Sequence, residues 1–196
     1  MTKCEYRAAD LIVGGNNANT SDEMIVEGYA AIFNQPTILW SHNGVDYKEE
    51  IASGAFDGAD MNDVIFRYNH SSNVYILART KNNTLNLTID DKGLKIKANI
   101  AKTQTGKDFY TLVKRGDIDK MSFGFIVEEE SYNQETHTRR ILKFKTIIDV
   151  SGVDFPAYDS TELFEGRSAE ELFKRYIYNK SEKNEEKRNK LLLKLI

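Results

Sequence analysis

Cysteine is almost missing from this sequence of 196 residues: Cys4 stands alone, which excludes an internal disulfide framework and fits a reducing compartment. Proline is nearly as scarce, and Pro36 and Pro156 cannot make a proline-rich linker. No run approaches the ~18 apolar residues that a membrane span needs. Residues 1–7 lack the apolar core of a secretion signal, so the expectation is a cytosolic protein with no membrane partner. There is no P-loop, no GxGxxG, no HExxH and no cysteine/histidine zinc spacing, and the usual phosphate, dinucleotide and zinc chemistries lose their support. A metal site built from His42, His70 and a carboxylate has no ligand spacing behind it, and neither a cofactor nor a metal is expected. Positive charge is also short. The formal net charge is −3, yet from residue 165 onward nine Lys/Arg face six Glu, which leaves 18 basic against 24 acidic residues, or −6, for the rest. An acidic body argues against nucleic acid as a partner, because a duplex needs clustered positive charge.

What is present suits one soluble domain with a substantial core, since 40% of residues are hydrophobic and 29% charged. Residues 1–22 end in Gly14-Gly15-Asn16-Asn17 and are expected to be a flexible N-terminal segment. A domain over 23–164 follows, and 165–196 reads as a charged helical tail, either a solvated helix or a partner-binding or removable extension. Within the domain, residues 23–34 and 64–68 are rich in strand formers. Residues 37–50 look like an irregular connection with a turn at His42-Asn43-Gly44. Residues 84–90 and 94–100 alternate apolar and polar around Asp90-Asp91-Lys92-Gly93, the pattern of a hairpin. One helix is marked, with Thr105 as its cap, Phe109, Leu112 and Val113 on one face, and Gly116 as its stop. Strands over 121–127 and 140–153 flank a polar loop. Many short strands with one clear helix favour a mainly β fold, an antiparallel β-barrel or sandwich with peripheral helices.

The strand around Ser122 carries the chemistry. Met121, Phe123, Phe125 and Val127 fall on one face, while Ser122 and Gly124 fall on the other, where small residues leave room for close approach. A serine hydroxyl is inert at neutral pH without a base and a group to orient that base. Three histidines exist. His42 and His137 lie in turn-rich or polar stretches, whereas His70 directly follows a strong strand, in either a catalytic or a capping role. Asp149 interrupts an otherwise apolar strand, and a buried carboxylate needs a partner. An imidazole N–H would serve, and so would backbone amides or Arg140. Asp154 is the other acidic candidate.

The ordered blocks Glu27-Gly28-Tyr29-Ala30, Gly54-Ala55-Phe56, Asn69-His70, Asp91-Lys92-Gly93-Leu94, Lys114-Arg115-Gly116-Asp117, Met121-Ser122-Phe123-Gly124-Phe125 and Val153-Asp154-Phe155-Pro156-Ala157-Tyr158 resemble the tailed-phage prohead serine protease family over residues 24–162. That family is related to the herpesvirus assemblins. The resemblance implies an assemblin-like β-barrel surrounded by helices, and a serine endopeptidase with Ser122 as nucleophile, His70 as general base and Asp149 as third member. The family often has Glu at the third position, an Asp after Asn-His where this chain has Ser71, and Gly-Arg where this chain reads Ala78-Arg79. Its expected substrate is the major capsid protein precursor or a scaffolding protein, and the enzyme itself, inside the immature capsid in the bacterial host cytoplasm. The assemblin relation adds the expectation of a homodimer. Arg79 and the 114–116 turn are the candidates for oxyanion donors. Two other readings use the same residues: a catalytically silent capsid-assembly or scaffold-binding barrel, and an esterase-like hydrolase.

Overall fold

Strand-forming stretches separated by turn residues give ten strands and one α-helix in the computed structural model, which describes residues 5–13 and 23–154. The strands are β1 (Glu5–Val13), β2 (Ile25–Ile32), β3 (Thr37–His42), β4 (Val45–Ile51), β5 (Ile65–Tyr68), β6 (Ala78–Arg79), β7 (Leu85–Ile89), β8 (Gly93–Asn99), β9 (Lys120–Asn133) and β10 (Thr138–Val153), with α1 (Gln104–Arg115) between β8 and β9. The fold is mainly β. The expected tail, 165–196, and the Pro-Ala-Tyr turn lie outside the described residues.

The hairpin expected around Asp90 is present as β7–β8, where Asp90 Oδ1 accepts from the N–H groups of Lys92 and Gly93. The helix starts earlier than expected. Thr103, not Thr105, is its N-cap, with its hydroxyl accepting from Gly106 N at 3.1 Å. Gly106 explains the shift: a Cβ there would fall 1.8 Å from the Ala101 carbonyl oxygen, so only glycine lets the first turn seat this closely. Gly116, at φ 82°, ends the helix in the left-handed conformation.

Three expectations need correction. Residues 37–50 are not irregular but form the hairpin β3–β4, because Asn43 and Gly44 both take positive φ (50° and 78°), as a type I′ turn requires. Charged residues in β4 mask its alternation. Residues 5–13, placed in a flexible segment, form β1, which pairs with β9 through residues 5–10 and with β2 through residues 11–13. Glu5 and Arg7 look like tail residues, yet ion pairs satisfy both. The third correction concerns closure. The strand order β3-β4-β10-β9-β1-β2-β8-β7 leaves its two ends unpaired, so the described strands form an open sheet, not a closed antiparallel barrel. Two pairings are parallel, β10 with β4 and β10 with β5. At 16 residues β10 spans roughly 50 Å, longer than either neighbour, so two short strands share its second edge.

Phenylalanines dominate the core. Phe56, Phe123, Phe125 and Phe144 pack with ring centroids 4.6–6.3 Å apart, each burial contributing roughly 1.5–3 kcal/mol before entropy. Phe109 anchors α1 against Phe66 at 5.6 Å and lies over Gly152, where a Cβ would meet its ring at 2.6 Å. A second, ionic cluster ties β1 to its neighbours. Arg139, nearly buried, pairs with Glu5, with Glu49 at 2.9 Å and with Glu130 at 2.5 Å, while Arg7 pairs with Glu5 and Glu49. Burial is the largest influence on Glu5 and opposes its charge, but the hydrogen bonds and charges of Arg139 and Arg7 together outweigh it and hold the carboxyl below its ordinary value.

Candidate functional site

Strand register creates the site. In β9–β10, Ser122 lies opposite Ser151 and Gly124 opposite Asp149; in β10–β5, Ser151 lies opposite Arg67 and Asp149 opposite Ile65. Paired residues share a face, and their chain neighbours Phe123, Val150 and Phe66 fill the core on the other side. One face therefore carries two rows, Ser122–Ser151–Arg67 and Gly124–Asp149–Ile65. β9 has β10 on one edge and β1 on the other, with Ala8 opposite Ser122. An extended substrate cannot add as a strand beside Ser122 and must approach over the face.

His70 reaches that face through a strained turn. β5 ends at Tyr68, and the next two residues, Asn69 and His70, both hold positive φ (50° and 52°). Such conformations cost about 1–3 kcal/mol each in non-glycine residues and persist only where neighbours enforce them. Here the enforcement is explicit. Asn69 N donates to Gly152 O at 2.9 Å, its side-chain amide donates to Asp154 Oδ2 at 2.8 Å, and Asp154 N donates back to Asn69 Oδ1 at 3.1 Å. The Tyr68 hydroxyl donates to the other Asp154 oxygen. Burial, then this carboxylate acceptor, push the Tyr68 hydroxyl up to about 12. The result folds His70 back over β10, with its backbone N–H on Ser151 Oγ at 3.2 Å.

His70 Nδ1 then lies 2.8 Å from Asp149 Oδ2, and Ser151 Oγ donates to the same oxygen at 3.0 Å. With Nδ1 donating to the carboxylate, the ring's other nitrogen, Nε2, is the basic one. Asp149 is 4% exposed, and imidazole plus hydroxyl both engage its Oδ2. Arg140, the other partner considered, pairs with Glu50 at 2.6 Å. Ser122 is 2% exposed and its Oγ has no hydrogen-bond partner, so no bond joins it to the imidazole in this structure. Asp149 Oδ1 and Arg67 Nε are likewise buried without a hydrogen-bond partner.

The remaining candidates fall elsewhere. His137 closes the β9–β10 turn beside Tyr47 and Tyr132, twelve residues along β10 from Asp149, or about 40 Å of strand. His42 ends β3 near Trp40. Asp154 clamps the His70 turn, and the Arg79 guanidinium is engaged bidentately by Asp63 at 2.5 and 2.7 Å. Sequence reasoning missed Ser151, Asn69 and Arg67. Asp-x-Ser in a strand puts a hydroxyl on the carboxylate's own face, a signal that was readable for Ser151; nothing local marked the left-handed turn.

A family model described as caudovirus prohead serine protease matches residues 12–174. The chain belongs to that family. This is a family of serine peptidases of phage capsid maturation. No curated protein and no solved structure gives a match. Among the described residues, no helix is long and apolar enough to cross a membrane.

Proposed function

We propose that the chain is a serine endopeptidase that cleaves the capsid or scaffold precursor, and itself, within the immature capsid, using Ser122 as nucleophile, His70 as general base and Asp149 to orient the ring. The observation that carries this reading is the 2.8 Å contact of His70 Nδ1 with Asp149 over the face on which Ser122 stands. Nε2 of His70 takes the proton from Ser122 Oγ as the oxygen bonds to the scissile carbonyl carbon. The imidazolium then protonates the leaving amine, the C–N bond breaks, and water repeats the cycle on the acyl-enzyme. Asp149 and Ser151 hold the ring through both steps. Tyr75, 77% exposed, and Ile76, in the stretch after His70, offer apolar contact to a polypeptide. Dimerisation as in assemblins belongs to the same proposal.

The burial of the Ser122 hydroxyl favours a second reading, a catalytically silent domain that binds scaffold or capsid protein. One experiment separates the two. Wild type and Ser122→Ala are each expressed with the neighbouring capsid protein, and intact masses are followed. Truncation that depends on Ser122, with a rate loss on the order of 10⁴–10⁶ in the variant, supports the peptidase. Identical masses in both would leave the binding domain as the better account.

A further inference from the structure

The geometry points to Arg67 as a substrate-binding residue that takes the carboxylate of an Asp or Glu side chain on the leaving-group side of the scissile bond; this rests on the peptidase reading above. Among the described residues, the other five arginines all pair with carboxylates: Arg7 and Arg139 in the β1 cluster, Arg79 with Asp63, Arg115 with Asp117 and Arg140 with Glu50. Arg67 makes no such pair, and its Nε is buried with no hydrogen-bond partner. An acid-rich body that neutralises every other described guanidinium leaves this one open. A guanidinium is a planar fork whose parallel N–H groups match a carboxylate, and a partly buried one without an acceptor costs stability that a bound anion restores.

Position decides which part of a substrate it meets. Arg67 is the third member of the row Ser122–Ser151–Arg67, two strand spacings or about 10 Å from the serine. His70, bonded to Ser151, stands over the strand between them. In acyl transfer the histidine hands its proton to the leaving amine, so the chain segment that departs lies on the histidine's side of the serine, and the oxyanion faces donors elsewhere. Arg67 is on the histidine's side. Its partner is therefore an acidic side chain of the departing segment.

The test uses the full chain and a randomised library of C-terminally amidated peptides, so that any carboxylate is a side chain. In the binding arm, peptides retained by Ser122→Ala and by the double variant that adds Arg67→Glu are identified by mass spectrometry. In the cleavage arm, wild type, Arg67→Gln and Arg67→Glu are compared by the ratio of acidic to neutral residues just after the cut, with circular dichroism confirming folding. Arg67 should enrich Asp and Glu about tenfold, the worth of one good charge-assisted pair. Arg67→Gln should abolish the preference, and Arg67→Glu should turn it toward Lys and Arg. The same charge preference in all variants overturns the inference, as does a loss in Arg67→Gln that is uniform across peptides, which would move Arg67 to the oxyanion. A preference that flips in the binding arm with no Ser122-dependent cleavage supports Arg67 as the carboxylate receptor and overturns the peptidase reading instead.

Discussion

Removing the Ser151 hydroxyl is the sharpest test of how this site is held. Ser151 is fully buried, its Oγ accepts from His70 N at 3.2 Å, and it donates to Asp149 Oδ2 at 3.0 Å. Ser151→Ala deletes both bonds. A hydrogen bond to a charged group contributes roughly 1.5–3 kcal/mol, and a buried N–H left unmatched costs about 1–3 kcal/mol. The two share one hydroxyl and partly relax together, so the expected loss of stability is about 2–4 kcal/mol, read as a lower urea midpoint at unchanged slope. The activity loss is a separate quantity. With one tether gone, the His70 backbone drifts while Nδ1 keeps Asp149, and a displacement near 1 Å costs about 10²-fold in rate. Initial rates of precursor cleavage, measured where the variant is fully folded, should fall by that factor, with most of the change in kcat. A variant that loses stability but cleaves at the wild-type rate would show that Ser151 is structural and that the left-handed turn alone positions His70.

Two other perturbations follow from the electrostatics. Arg139→Met leaves Glu5, Glu49 and Glu130 facing one another with one cation fewer, which should cost about 3–5 kcal/mol at pH 7. In the wild type, Glu5 has a depressed folded pKa, so its contribution is present above its unfolded value and is lost as pH falls. The variant lacks the Arg139 partner that helps hold the Glu5 carboxyl down, so urea midpoints at pH 7 and pH 4.5 should converge with the wild type on acidification; a constant gap would sink the account. Tyr68, raised from 10 to about 12, contributes stability that is complete below pH 10 and is lost as pH climbs through about 12. Tyr68→Phe should be about 1 kcal/mol less stable at pH 8, with the difference closing by about pH 12, and tyrosine absorbance in the wild type should show one late titrating hydroxyl that the variant lacks.

Much of this protein was legible without coordinates, because local patterns carry local structure. The alternation of Met121, Phe123 and Phe125 with Ser122 and Gly124 determined which face of β9 is core. Asp90-Asp91-Lys92-Gly93 determined a hairpin, Gly116 determined where the helix stops, and the ordered motifs determined the family. What lay beyond reach depends on residues far apart in sequence. Glu5 and Arg7 look like tail residues until Glu49 and Arg139 arrive from β4 and β10 to neutralise them. The lone Asp149 could have met amides or Arg140, and only the turn at Asn69-His70, clamped by Asp154, decided that it meets an imidazole. The β9–β10–β5 register alone decided that Ser122, Ser151 and Arg67 share a row, since pairing is chosen by the total fit of strands and not by any stretch of one strand. Composition and spacing therefore determined the pieces and their chemistry, and tertiary packing decided their partners, because burial makes an unpaired charge or hydroxyl costly only once the chain has closed around it.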